Sequence, residues 1–218
     1  MRLRLTPEDR RRRILDAALE LFAERGYERA SMAELGQRAG IVASVLYDHF
    51  PSKRDLYVEL LGRLGDELIG ATRAAAGDGT PRGLFRAQLE AFYAYIDDHP
   101  SAWRMLFRDP PADAVIAAAH RRVHERARVA VSELVGAIPP GRQLIGGLDR
   151  AQSDGLLGEA IKSATNGLAT WWWEHPELPR ERIVQVAEAL LWEGLAGLAA
   201  TDAGGAQRPR RSRSDRIA

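Results

Sequence analysis

Apolar residues recur along this chain every three or four positions, the spacing that places side chains on one face of a helix. Between Glu8 and Arg25 the apolar positions are Ile14, Leu15, Ala18, Leu21 and Phe22. Sustained alternation of apolar and polar residues, which is typical of strands, is absent. The pattern therefore predicts an all-α fold of about nine helices joined by short connectors.

Local signals place the ends of the first four helices. Gly26 is expected to end the first helix as a C-cap. The run Ser31 to Glu34 has the form of a capping box and predicts the start of the second helix. A short third helix over about Ala43 to Phe50 is stopped by Pro51, and Ser52 caps a long fourth helix.

These breaks divide the 218 residues into three parts. Residues 1–57 form a small three-helix unit with a basic N-terminal arm that includes Arg10 to Arg13. Residues 58–200 form a larger helical domain, and Pro139 to Gly147 read as a loop inside it. Residues 201–218 are polar and rich in arginine, so a disordered tail is expected there.

Two of the short helices have the size and spacing of a helix-turn-helix, with Gly40 to Val42 as the turn. The second helix of such a motif lies in the major groove of DNA and offers its first side chains to the bases. Lys53, in the first turn of the fourth helix, is expected to bind a phosphate. The predicted DNA-contacting residues are Ser31, Val42, Ala43, Ser44, Tyr47, His49 and Lys53.

A specific set of spaced residues carries a family resemblance. The set is Ile14-Leu15-x-Ala17-Ala18-x-x-Leu21-Phe22-x-x-x-Gly26-Tyr27, then Ala39-Gly40-Ile41, then Leu46-Tyr47-x-His49-Phe50-x-Ser52-Lys53-x-x-Leu56. It resembles the DNA-binding domain of the tetracycline-repressor family over residues 10–57. The resemblance implies an all-helical homodimer that represses by binding operator DNA and is released by a small-molecule ligand.

The chain departs from the family pattern at three places. Val42 stands where the family usually has serine, which removes a helix cap worth roughly 1 kcal/mol. Val45 stands where the family often has threonine, a phosphate contact, and Leu35-Gly36 replaces the usual Ile-Ala. A ligand-binding helical protein whose degenerate helix-turn-helix no longer reads DNA is therefore the alternative hypothesis.

The larger domain is expected to hold the ligand between its helices 5 to 8. Aromatic and aliphatic residues prevail there, so the effector is predicted to be a small apolar or amphipathic molecule. The predicted ligand-binding residues are Phe92, Trp103, Phe107, His120, His124, Ser163 and Asn166. His120 and His124 lie one turn apart, but no third ligand keeps a metal-binding spacing, so no metal or cofactor is expected.

The last two helices are strongly amphipathic, a pattern that suits a four-helix interface in a homodimer. The predicted interface residues are Ile161, Leu168, Trp172, Ala187, Leu191 and Leu195. Ordinary packing within one chain is the alternative. Trp171 to Trp173 cannot all face one way, so one or two of them are expected in the interface.

Composition narrows the remaining classes. The chain has no cysteine, which excludes disulfides and thiolate metal sites. It shows no nucleophile–base motif or glycine-rich phosphate loop, so it is predicted not to be an enzyme. No signal peptide or membrane-spanning run is expected, which favours a cytoplasmic protein without a membrane partner. The effector, the operator, the regulated genes and the choice between repression and activation are left open.

Overall fold

Helices follow one another through the part of the chain that the structure describes. The computed structural model covers residues 6–107, 110–136 and 147–205, with side chains to residue 194. Within these ranges there are nine helices and no strand, so the all-α prediction is confirmed. The helices are α1 (Pro7–Arg29), α2 (Met32–Ala39), α3 (Ala43–His49), α4 (Lys53–Ala74), α5 (Pro81–Asp98), α6 (Pro100–Phe107), α7 (Ala114–Gly136), α8 (Arg150–Trp173) and α9 (Arg180–Gly205).

Glycines and side-chain caps define the helix ends of the N-terminal unit. Gly26 has φ 74° and interrupts α1, although a further turn follows it. The hydroxyl of Ser31 accepts a hydrogen bond from the Glu34 amide at 3.2 Å. The carboxylate of Glu34 turns instead to Arg25, at 3.1 Å, so only half of the expected capping box forms. Gly40, with φ 65°, ends α2 in the left-handed conformation that glycine tolerates best.

The described residues form two hydrophobic clusters, and the long helix α4 belongs to the first of them. The first joins α1 to α4 with parts of α5, α6 and α7, and its centre includes Leu21, Leu46 and Leu60. The second joins α5 to α9 around Tyr93 and Trp103. Helix α4 begins in the helix-turn-helix unit and ends against the second domain, so it contacts both.

The C-terminal helix is longer than expected. Its predicted end was near Ala200, but α9 continues to Gly205, so residues 201–205 are helical rather than part of a disordered tail. The rest of the predicted tail, most of the loop predicted between Pro139 and Gly147, and the first five residues lie outside the described residues. Among the described residues, no helix is both long and apolar enough to cross a membrane.

Candidate DNA-contacting surface and ligand cavity

Helix α3 presents one face to solvent and anchors the other in the core. Leu46 is fully buried, whereas Val42 and Tyr47 are 68% and 50% exposed. Ala43 and Ser44 are exposed as well. Val42 makes no side-chain cap, as its substitution for serine predicts. The first turn of α3 and Tyr47 therefore form an outward-facing surface of the right size for the major groove.

Gly36 explains one departure from the family pattern. The Ile41 amide donates to the Gly36 carbonyl at 2.9 Å, which closes the turn between α2 and α3. A Cβ on Gly36 would lie 2.9 Å from the Ile41 carbonyl oxygen. Glycine at this position therefore lets the turn run close to α2, and alanine would push the two helices apart.

The ammonium group of Lys53 points into the protein instead of toward a phosphate. Its Nζ donates to the carbonyl oxygens of Tyr27 at 2.7 Å, Ala30 at 3.0 Å and Glu28 at 3.3 Å. It also lies 4.3 Å from the centre of the Tyr27 ring. Carbonyls at a helix end carry partial negative charge, which explains why the lysine lies there. In this structure Lys53 braces the end of α1, and its predicted phosphate contact stays a prediction.

Two arginines of the basic arm, Arg11 and Arg13, have different surroundings. Arg11 forms an ion pair with Glu59 and lies 4.6 Å above the ring of Phe50, so it ties α1 to α4. Arg13 is exposed, and its guanidinium would lie 3.5 Å from a Cβ on Gly40, in the turn of the helix-turn-helix. Arg13 is therefore a candidate phosphate contact, although it was not among the predicted DNA-contacting residues.

The two remaining predicted DNA contacts are placed at the margins of this surface. The exposed Ser31 uses its hydroxyl to cap α2. His49 is half-buried at the end of α3, and its carbonyl accepts from Arg11 at 3.4 Å.

A cavity of about 350 Å³ lies between α4, α5, α6, α7 and α8. Its wall is mostly aliphatic and aromatic. Four of the predicted ligand-binding residues line it, namely Phe92, Phe107, His124 and Asn166. Such a volume falls in the range of small-molecule sites.

Three predicted ligand-binding residues do not line this cavity. Trp103 is fully buried behind Phe107, with the two rings stacked at 4.1 Å. His120 is buried between α7 and α4, one turn from His124. Ser163 lies on the exposed side of α8, where its hydroxyl donates to Glu159 at 2.9 Å. The helical face that carries each side chain decides these placements.

The two histidines of α7 are kept neutral by their surroundings. Burial lowers the pKa of His120, and the neighbouring His124 lowers it further. Burial also lowers the pKa of His124, and the positive charge of Lys162 adds to that effect. Nε2 of His120 is buried and has no hydrogen-bond partner among the described residues.

The comparison with known proteins agrees with this geometry. Residues 14–60 match the family model of the bacterial regulatory proteins of the tetR family. Over these residues the chain is similar to the tetR-family DNA-binding domain. The transcriptional activator FasR of Mycolicibacterium smegmatis is 37% identical over 134 residues, which cover 61% of each chain. The repressor KstR of the same species is 43% identical over 74 residues, or 34% of this chain and 36% of KstR.

Likeness to solved structures extends over more of the chain. A TetR-like transcriptional regulator from Rhodococcus is 25% identical, with a TM-score of 0.70. The match covers 89% of this chain and all of the other. In sequence, the chain aligns with about three-fifths of FasR and about a third of KstR. Both relatives are named as HTH-type transcriptional regulators.

Three of the six predicted dimer residues face inward. Ile161, Trp172 and Ala187 are buried within the chain, and Ile161 lines the cavity. A side chain already covered by its own chain buries little more surface against a second copy. The predicted interface stays a prediction. Leu168 and Leu191 are half-buried against the second cluster. The side chain of Leu195 lies outside the described residues.

The opposite face of α8 and α9 carries the exposed apolar side chains. These are Leu156 and Trp171 on α8 and Val186 and Leu190 on α9. Of the three consecutive tryptophans, Trp172 is in the core and Trp171 stacks on His175 at 3.8 Å on the surface. Sequence periodicity showed that α8 and α9 are amphipathic but not which apolar side chains their own chain covers.

Proposed function

We propose that this protein is a ligand-responsive transcriptional regulator that binds an inverted-repeat operator as a homodimer. The observation that carries the proposal is the path of α4. Its first residues hold the helix-turn-helix through Lys53, and its last turns, from Gly65 to Arg73, line the cavity. One helix therefore touches both the DNA-reading unit and a ligand-sized space.

The DNA-contacting part of the proposal rests on α3. Its exposed first turn offers Val42, Ala43 and Ser44 to base edges, while Tyr47 and Arg13 are placed to reach phosphates. Two copies related by a twofold axis would present two such helices to half-sites about one helical turn apart. The operator is therefore expected to be an inverted repeat in double-stranded DNA.

The exposed face of α8 and α9 is the proposed dimer surface. Leu156, Trp171, Val186 and Leu190 lie there beside the small exposed residue Gly167, which permits close helix approach. A second copy would cover these apolar side chains and supply the second recognition helix.

An effector in the cavity would act through the relative position of the domains. A ligand that binds more tightly to the arrangement with the lower DNA affinity shifts the equilibrium toward it. The factor by which the ligand lowers DNA affinity then equals the factor by which DNA lowers ligand affinity. The apolar wall supports an apolar or amphipathic effector. Because operator DNA is the proposed partner, the protein is proposed to act in the cytoplasm.

Whether the protein represses or activates transcription remains a prediction. Among the named relatives, FasR is an activator and KstR a repressor. Repression is expected where the operator overlaps a promoter.

Fluorescence anisotropy with a labelled duplex from the gene's own upstream region tests DNA binding. We expect saturation at two subunits per site and a steep salt dependence, because phosphate contacts release counterions. Tyr47→Ala should weaken binding by about tenfold without changing thermal stability. Arg121→Ala, which alters an exposed residue of α7 far along the chain from α3, is the matched control.

The uncapped Val42 favours the alternative of a ligand-binding helical protein that no longer reads DNA. Equal affinity for the upstream duplex and a scrambled one, followed by failure to select any genomic fragment, would establish that alternative.

A further inference from the structure

Lys162 places a cation in the mostly apolar wall of the cavity. It is one of only two lysines among 31 Lys and Arg residues in the sequence. Its side chain is 15% exposed and lines the cavity. A largely buried ammonium needs an anionic or hydrogen-bonding partner. Its partner Glu159, at 2.8 Å, has a side chain that is 46% exposed and does not line the cavity. The ammonium of Lys162 therefore lies at the cavity, whereas the carboxylate of Glu159 lies toward solvent.

Two further hydrogen-bonding groups lie near this ammonium. Asn166 is one helical turn farther along α8 and also lines the cavity. His124 lines the cavity from α7, and its lowered pKa reflects the nearby charge of Lys162 as well as burial. A neutral imidazole and an amide can each donate one hydrogen bond to an oxyanion.

Unlike the charge of Lys162, the negative charge that lines the cavity lies at its exposed rim. Among the described lining residues the single carboxylate is Glu133, whose side chain is 62% exposed. Glu133 is already paired with Arg73 across the gap between α7 and α4. The two neutralise each other at the rim, so the interior of the cavity keeps a net positive charge from Lys162.

We propose that the cavity takes an amphipathic anion, with its oxyanion head at Lys162 and Asn166 and its apolar body against Phe92 and Phe107. This rests on the proposed function, in which the cavity is the effector site, and it deepens that function by naming the chemical class. A carboxylate, sulfonate or phosphate head satisfies the donors equally well.

Two fluorescent probes that differ mainly in charge test the proposal. Anilinonaphthalene sulfonate is an amphipathic anion, and N-phenylnaphthylamine is its uncharged relative. We expect the wild-type protein to bind the sulfonate more tightly. Lys162→Met should weaken sulfonate binding by about tenfold or more, the usual worth of a charge-assisted hydrogen bond. The same variant should leave affinity for the uncharged probe unchanged, which also shows that it is folded.

Matched variants separate the ligand role of Lys162 from a structural role. Glu159→Gln removes the ion pair but keeps the ammonium, so sulfonate binding should persist or strengthen. Arg121→Met removes a cation that lies outside this cavity and should have no effect. Ala130→Phe fills the cavity from α7 and should displace both probes if they bind there.

Three results would overturn the proposal. These are equal affinity of the wild-type protein for the two probes, unchanged sulfonate binding in Lys162→Met, and parallel loss of both probes in that variant. DNA anisotropy on the same proteins keeps the two proposals apart. Charge-selective probe binding without operator binding would uphold the anion site and reject the regulator.

Discussion

Tyr57 of α4 and His120 of α7 face each other with their ring centroids 6.3 Å apart. Both side chains are buried, and neither lines the cavity. Tyr57 also packs edge-on against Tyr27 at 5.2 Å, and His120 lies 6.5 Å from His124, which does line the cavity. Four rings thus connect the cavity wall to the loop that Lys53 holds, and we propose this column as a route from ligand to DNA-binding unit.

The histidines of this column should make folding stability depend on pH. Burial lowers the pKa of His120 and His124 in the folded protein below the ordinary value of 6.5. Between the folded and the ordinary value, the unfolded chain binds more protons than the folded one. The free energy of unfolding should therefore be fully retained above about pH 6.5 and fall as the pH drops below it.

Urea unfolding at a series of pH values measures this effect. Replacing both histidines by glutamine should flatten the pH dependence below about pH 6.5. His99→Gln, on an exposed residue after α5, is the control and should keep the wild-type slope. A double variant with the wild-type slope would show that these histidines are not the acid-sensitive groups.

The contact between Gly65 of α4 and Val123 of α7 should be intolerant of one added methyl group. A Cβ on Gly65 would lie 2.7 Å from Cγ1 of Val123, a stiff β-branched side chain. Gly65→Ala is therefore expected to lower the free energy of unfolding by about 1–3 kcal/mol, the usual cost of overpacking.

Two companion variants make this prediction specific. Val123→Ala removes the opposing methyls, so adding it to Gly65→Ala should recover part of the loss. Gly62→Ala, one turn earlier on α4 with nothing within 4 Å, should stabilise the helix by about 0.5–1 kcal/mol. Thermal unfolding measures all of these variants. A loss in Gly65→Ala that Val123→Ala does not relieve would mean that the two residues do not meet.

Local sequence signals were sufficient for the helices but not for the roles of their side chains. Gly26, Gly40 and Ser31 mark boundaries because their effect depends on their immediate neighbours. The inward turn of Lys53 depends on carbonyls more than twenty residues earlier, which no local pattern shows. The positive charge of Lys53 and its place in the first turn of α4 favour a phosphate contact just as well as a contact with these carbonyls.

The cavity illustrates the same limit. Asn166 was predicted to face the ligand, and Lys162 lies one turn before it on the same face of α8. That spacing could have identified Lys162, but a lysine on an amphipathic helix usually lies in solvent. Ile161 and Ala187 were assigned to a dimer because periodicity shows an apolar face without showing which helix covers it.

Lys53→Met should destabilise the N-terminal unit without removing a phosphate contact. Three carbonyls lose their donor, so the free energy of unfolding should fall by about 1–3 kcal/mol. The slope of log affinity for DNA against log salt should stay unchanged at a temperature where the variant is folded. Arg13→Met is the comparison and should reduce that slope by about one while leaving stability intact. If Lys53→Met instead reduces the slope and Arg13→Met leaves it unchanged, Lys53 is the phosphate contact.

Leu190→Glu should break the proposed dimer without unfolding the chain. Leu190 is 60% exposed on α9, beside the other apolar side chains of the outer face. Burying a carboxylate there in place of leucine should cost about 2 kcal/mol or more and raise the dimer dissociation constant at least about thirtyfold. Sedimentation velocity measures the dimer, and affinity for a full inverted repeat should fall while that for one half-site stays the same. Val129→Glu, on an exposed valine of α7 outside this face, should remain dimeric. If Leu190→Glu is as dimeric as the wild type and Val129→Glu is not, the interface lies on α7, and the two recognition helices must be spaced by a different pairing of the chains.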